Sequence, residues 1–275
     1  MKLVFDEIGY WTEVKLDIIK QYATEYSKIL SNQTNPQFHH VYIDAFAGPG
    51  KHFSKDKKHF VPGSPQIALT VSPPFRDYYF IDIDRAKLGE LKKFASVHGN
   101  VHIFEGDCNE KLMTDVFPNV KYEDYRRGLC LLDPYGLHLN WDVIKTAGEM
   151  KSIDMFLNFP VADMNRNVLW RNPENVDPAE VNRMNTYWGD ETWREVAYNT
   201  QRNLFGMPVK EDNETIADAF RKRLVEVANF QYVPNPLPMR NSKNAIIYYL
   251  YFASQKPVAS NIVEYIFKHY SDFRG

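Results

Sequence analysis

Four aspartates stand at the ends of apolar runs, and each is followed by residues suited to chemistry. Val41-Tyr42-Ile43 leads into Asp44 and then Ala45-Phe46-Ala47-Gly48-Pro49-Gly50. Tyr79-Phe80-Ile81 leads into Asp82, and Val101-His102-Ile103-Phe104 leads through Glu105-Gly106 into Asp107-Cys108. Leu129-Cys130-Leu131-Leu132 ends in Asp133-Pro134-Tyr135-Gly136. A short apolar run closed by turn residues reads as a buried strand. Carboxylates at such strand ends can accept hydrogen bonds from the hydroxyls or amines of a ligand. Gly48 and Gly50 let the backbone approach a ligand where a Cβ would stand in the way.

Two familiar nucleotide loops are excluded by single positions. A phosphate-binding G-x-x-x-x-G-K-[ST] loop needs glycine at Ala45 and a hydroxyl at His52. A G-x-G-x-x-G fingerprint needs glycine at Phe53. What remains is Asp44-x-Phe46-x-Gly48-x-Gly50.

The elements that must position these residues follow from periodicity. Leu16, Ile19, Tyr22, Ala23, Tyr26, Ile29 and Leu30 give residues 11–30 an apolar helical face, with Thr12 as N-cap and Lys15 as a solvated charge on the first turn. Lys51–Phe60 is basic and aromatic; it reads as a solvated insertion, with a lid or a phosphate contact as the functional alternatives. Ser64 and Pro65 suit the N-cap and N1 of the next helix. Asp84 is the expected N-cap of a helix over 85–98 with Leu88, Leu91, Phe94 and Val97 inward, which leaves Asp82 for a ligand. Cys108 reads as a pocket wall. Ile153–Pro160 is a fifth strand whose Asn158-Phe159-Pro160 end could join the same sheet edge. Residues 161–214 break the alternation of strand and helix with Arg166, Trp170, Arg171, Arg183, Tyr187, Trp188, Trp193, Arg194 and Arg202. They read as an inserted substrate or partner subdomain within a single domain spanning 1–275. A helix over 216–230 with Val227 inward, strands over 230–233 and 245–253, and a helix over 259–270 close the chain.

At 275 residues the chain can bury a full core. Its net charge of −2 supplies no global basic field for nucleic acid. The two cysteines lack metal-ligand spacing. No apolar run is long enough for a membrane span, and the N-terminus does not read as a signal peptide, so the expected location is cytoplasmic, away from membranes.

The Asp44-to-Gly50 loop resembles motif I of class I S-adenosylmethionine-dependent methyltransferases. The resemblance implies a Rossmann-like seven-stranded sheet, mostly parallel with an antiparallel last strand, plus a helical insertion. It also implies S-adenosyl-L-methionine as cofactor: Asp44, Phe46, Gly48 and Gly50 beneath its methionine part, Asp82 on ribose, Asp107 and Cys108 by adenine. Amino-methyltransferases carry [Asp/Asn/Ser]-Pro-Pro-aromatic after the fourth strand, where the polar side chain aims the acceptor amine and the ring stacks on an extruded base. This chain has one proline, which places Tyr135 one position early. Asp133-Pro134-Tyr135-Gly136 is also similar to the Asp-Pro-Phe-Gly of tRNA guanine-N2 dimethyltransferases. Trp11, Lys15 and Leu16, Asp44 through Gly50, Gly63-Ser64-Pro65, Asp133 through Leu137, and Tyr248 through Ser254 together resemble the three-Cys-motif partner family. That family is named for a neighbouring protein with three cysteines. The implied functions are methyl transfer to an RNA or DNA base, its exocyclic amine above all, with Asp133, Pro134 and Tyr135 catalytic. The alternatives are a cofactor-binding scaffold for a three-cysteine-motif protein, or a methyltransferase acting on a protein or small molecule. No metal is expected.

Overall fold

The computed structural model describes residues 5–202, 208–241 and 243–271. Its centre is a seven-stranded sheet. The strands are β1 (His39–Asp44), β2 (Asp77–Asp82), β3 (Val101–Glu105), β4 (Arg126–Leu132), β5 (Ile153–Phe159), β6 (Leu237–Arg240) and β7 (Ile246–Ala253). Their spatial order is β3-β2-β1-β4-β5-β7-β6. The first five are parallel; β7 runs antiparallel to β5 and to β6. This is the sheet expected for a Rossmann-like class I methyltransferase fold. The order reverses between β1 and β4, and that switch point opens a crevice beyond the strand C-termini.

Both faces are covered, which is why the parallel strands are apolar on both sides. Along β1, Val41 and Ile43 pack into one core and Tyr42 into the other. One face carries helices α1 (Tyr10–Ser31), α2 (Ser64–Leu69), α3 (Arg85–Ala95) and α10 (Pro257–Ser271). The other carries α4 (Cys108–Lys111), α5 (Trp141–Glu149), α6 (Val161–Asn167), α7 (Pro178–Trp188), α8 (Trp193–Ala197) and α9 (Asn213–Glu226). The aromatics of 161–214 divide. Tyr187, Trp188 and Trp193 are buried in the core of the main sheet, where Phe220 of α9 stands 4.6 Å from Phe159, 5.4 Å from Trp188 and 5.9 Å from Tyr187, ring centre to ring centre. Trp170 is exposed. The Arg202 side chain lies outside the described residues.

Several local expectations are corrected. Gly9, not Thr12, is the N-cap of α1, so Lys15 moves into its second turn. Gly63 caps α2, placing Ser64 and Pro65 in the first turn; its N–H donates to the Gly50 carbonyl at 2.8 Å, an approach a side chain would crowd. Residues 51–62 are a hairpin of Lys51–Ser54 and Phe60–Pro62, extended by Glu7–Ile8 into a small three-stranded sheet. The strand expected at 230–233 lies instead at β6, an edge position that tolerates Pro238. Val97 and Val227 are exposed because α3 and α9 end before them. Asp84 caps α3 as expected, accepting from the Ala86 and Lys87 N–H groups.

Candidate functional site

Gly48 and Gly50 follow β1 with φ of +61° and +80°, a backbone region that favours glycine. At Gly50 a Cβ would lie 2.2 Å from the Phe94 ring. Asp82 holds this loop from the neighbouring strand: one carboxylate oxygen accepts the Gly48 N–H at 2.8 Å and the other the Asp84 N–H at 2.8 Å. Asp44 lies beneath it, fully buried. One of its oxygens accepts the Phe46 N–H at 3.2 Å; the other has no hydrogen-bond partner among the described residues. Burial raises its pKa to about 7, against the opposing pull of the Ser64 hydroxyl and the Phe46 N–H.

Across the switch point, Asp133 leaves β4 and its Oδ2 accepts a hydrogen bond from Lys15 Nζ of α1. Lys15 is 5% exposed, so it is no solvated surface charge. Helix α1 turns it inward with Ile18, Ile19 and Tyr22. Burial works hardest against its charge, but the Asp133 carboxylate, Tyr248 and Asp44 together outweigh it and hold the ammonium above its ordinary pKa. The Lys15 ammonium also lies 5.5 Å from the centre of the Tyr248 ring.

The pair opens onto a cavity of about 330 Å³. Phe46, Gly48, Pro134 and Tyr135 line it with Lys15 and Asp133. Four polar atoms of its lining are buried without a hydrogen-bond partner among the described residues: His52 Nδ1, Asn158 Oδ1, Asp163 Oδ2 and the Tyr248 hydroxyl. Asp163 Oδ2 is 3.7 Å from Arg183, an ion-pair distance rather than a hydrogen bond. Burial lowers the pKa of His52 and raises that of Tyr248 to about 12. A buried unpaired polar atom costs about 1–3 kcal/mol, so this concentration is expensive unless a polar ligand completes it. Asp6 closes one side: its Oδ2 accepts from Lys87 Nζ at 2.7 Å and from the Tyr135 hydroxyl at 3.0 Å. The Tyr135 ring is otherwise exposed.

Of the remaining site candidates, Asp82 reaches the loop but not the cavity lining. Asp107 caps α4, with Oδ1 accepting from the Asn109 and Glu110 N–H groups. Cys108 is buried in the core behind it, where burial pushes its thiol up to about 12. Among the described residues no cluster of potential metal ligands is present, and no helix is long and apolar enough to cross a membrane.

No family model matches the sequence, and no curated protein matches it. The fold is similar to that of a solved Legionella pneumophila protein, LPL1258, with a TM-score of 0.53 at 13% identity over 93% of this chain and 92% of that one. At that identity the likeness is one of fold. Other solved structures that align are a putative methyltransferase from Thermobifida fusca (TM-score 0.42, 15% identity, covering 89% of this chain and 79% of that one) and a putative S-adenosylmethionine-dependent methyltransferase from Listeria monocytogenes (0.40, 14%, 86% and 98%).

Sequence reasoning missed Lys15, His52, Asp163 and Tyr248. Lys15 carried a visible signal: it falls between Trp11 and Ile18, Ile19 and Tyr22 on the apolar stripe of α1.

Proposed function

We propose that the chain is an S-adenosylmethionine-dependent methyltransferase whose acceptor is an amine, with the exocyclic amine of a nucleic-acid base as the favoured class. The observation that carries this reading is the cavity at the switch point, where a glycine loop, the Lys15–Asp133 pair and four unsatisfied buried polar atoms meet. Gly48 and Gly50 leave room for the methionine part of the cofactor. Asp82 fits ribose hydroxyls and Asp107 the adenine amine, with Cys108 forming the wall behind. Asp44, buried beneath the loop, would hold it in place through the Phe46 N–H. When bound, the cofactor supplies an electrophilic methyl group.

The chain's own work is then positioning. Lys15 holds Asp133 through Oδ2 and leaves Oδ1 for an acceptor N–H. That contact aims the nitrogen lone pair and offers a place for the proton the nitrogen gives up. Asn158 Nδ2 donates to the Pro134 carbonyl at 3.3 Å and steadies the turn. Tyr135, presenting an exposed ring, offers a stacking surface for a flat acceptor. The narrower kinship to three-Cys-motif partner proteins belongs to this proposal, and a three-cysteine-motif protein is then the candidate partner.

The test is transfer of labelled methyl from S-adenosylmethionine into unmodified RNA and DNA pools, comparing the native chain with Asp133→Ala. Transfer by the native chain, lost in the variant while cofactor binding persists, is the expected result. Undiminished transfer by Asp133→Ala would remove Asp133 from the mechanism. Cofactor binding without transfer to either nucleic acid would refute that acceptor class.

A further inference from the structure

A second cavity lies at the opposite edge of the sheet, where β4 and β5 begin. It encloses about 280 Å³. Tyr22 and Tyr26 of α1, Phe38 and Tyr122 give it flat apolar walls. Three cations also line it: Arg127, Lys151 and Lys256. Among the described residues no carboxylate lies within ion-pair distance of any of the three, although the Asp154 carboxylate of the same cavity attracts Arg127 and Lys256 at longer range. The Arg127 guanidinium lies 3.8 Å from the Tyr122 ring centre and 4.7 Å from that of Phe38. Its Nη1 donates only to main-chain carbonyls, of Tyr122 at 3.0 Å and Arg126 at 2.6 Å.

The one carboxylate of the described lining is Asp154. Both its oxygens are taken, by the Tyr22 hydroxyl at 2.7 Å and the Ser254 hydroxyl at 2.5 Å. Lys256 immediately precedes α10, whose first turn holds no acid. The positive end of that helix therefore adds to the same field. The balance is cationic, and the walls are aromatic.

We infer that this cavity binds a small aromatic carboxylate, its ring among the tyrosines and its carboxylate against Arg127 and Lys256. A planar guanidinium already fixed between two rings has lost little freedom to give up, and it matches a carboxylate in two-point geometry. A cationic ligand of the same shape meets three cations and a single carboxylate already bridged by two hydroxyls. The site is remote from the switch-point cavity, shares only α1, β4 and β5 with it, and does not depend on the proposed methyl transfer.

The test is calorimetric titration of 3-phenylpropionate, and of 3-phenylpropylamine as the same body with the opposite charge, into the native chain, Arg127→Met and Lys256→Met. Native protein should bind the carboxylate once per chain and the amine at least about tenfold more weakly. Arg127→Met should weaken carboxylate binding by about tenfold, the scale of one lost charge-assisted contact. Lys256 is exposed, so Lys256→Met should fold regardless and lower affinity by a smaller factor. No binding of 3-phenylpropionate at millimolar concentration would overturn the inference. So would equal affinity for the amine, or unchanged carboxylate affinity in both variants.

Discussion

Helix α1 reaches two acids at opposite edges of one sheet, from positions about two turns apart. At the C-terminal edge Lys15 pairs with Asp133; at the N-terminal edge the Tyr22 hydroxyl donates to Asp154. The first pair is ionic and surrounded by buried polar atoms that lack partners. The second is held by two hydroxyls, with both carboxylate oxygens satisfied. The Asp154 carboxylate itself needs no ligand to complete it. The first leaves unmet hydrogen-bonding capacity, and such capacity concentrates at sites that bind something.

The comparison can be broken most forcefully at Lys15. Lys15→Met leaves the Asp133 carboxylate without its counter-charge and should cost about 3–5 kcal/mol in urea unfolding. Lys15→Met combined with Asp133→Leu should recover most of that loss, because an apolar pair removes both charges. Gly50→Ala comes next. It imposes a left-handed φ on alanine and drives a Cβ against Phe94, so about 1–3 kcal/mol of stability should go, and cofactor affinity with it. At the other edge, Tyr22→Phe removes one donor while Ser254 remains; a loss of about 1–2 kcal/mol is expected. A Tyr22→Phe cost equal to that of Lys15→Met would erase the distinction between the two edges.

The smallest effect is a slope against pH. Asp44 releases its proton near 3.8 when unfolded and near 7 when folded. Between those values the folded chain holds the extra proton, so this group's contribution to stability falls as pH rises from about 4 to about 7. His40 acts in the opposite sense: burial lowers it from 6.5 to about 4, and its contribution is lost as pH falls through that window. Asp44→Asn should remove only the first trend. The difference between native and variant stability, measured by denaturant titration from pH 4 to 8, should therefore change steadily up to about pH 7 and then level.

The sheet was legible in the sequence because buried parallel strands print as apolar runs, and the acids closing β1, β2 and β4 lie where those runs stop. Position β6 was not, because Leu237-Pro238-Met239 looks like linker until an edge is available to receive it. The loop at Gly48 and Gly50 was readable from local spacing alone. The Lys15–Asp133 pair spans 118 residues of sequence, and nothing local marks one as the partner of the other. His52 and Tyr248 reach the cavity from the hairpin and from β7, contacts that exist only once the sheet has formed. Asp107 shows the reverse difficulty: it follows its strand end as expected, and its side chain serves as a helix cap, a role that the same sequence pattern supports equally well.

The most direct measurement is calorimetric titration of S-adenosylmethionine and its demethylated product into the native chain, repeated with Asp82→Ala. The account predicts binding by the native chain, with stability raised by about 2.7 kcal/mol at a hundredfold excess over the dissociation constant, and loss of binding in a folded Asp82→Ala. Absence of binding by the folded native chain would contradict a cofactor site at the switch point.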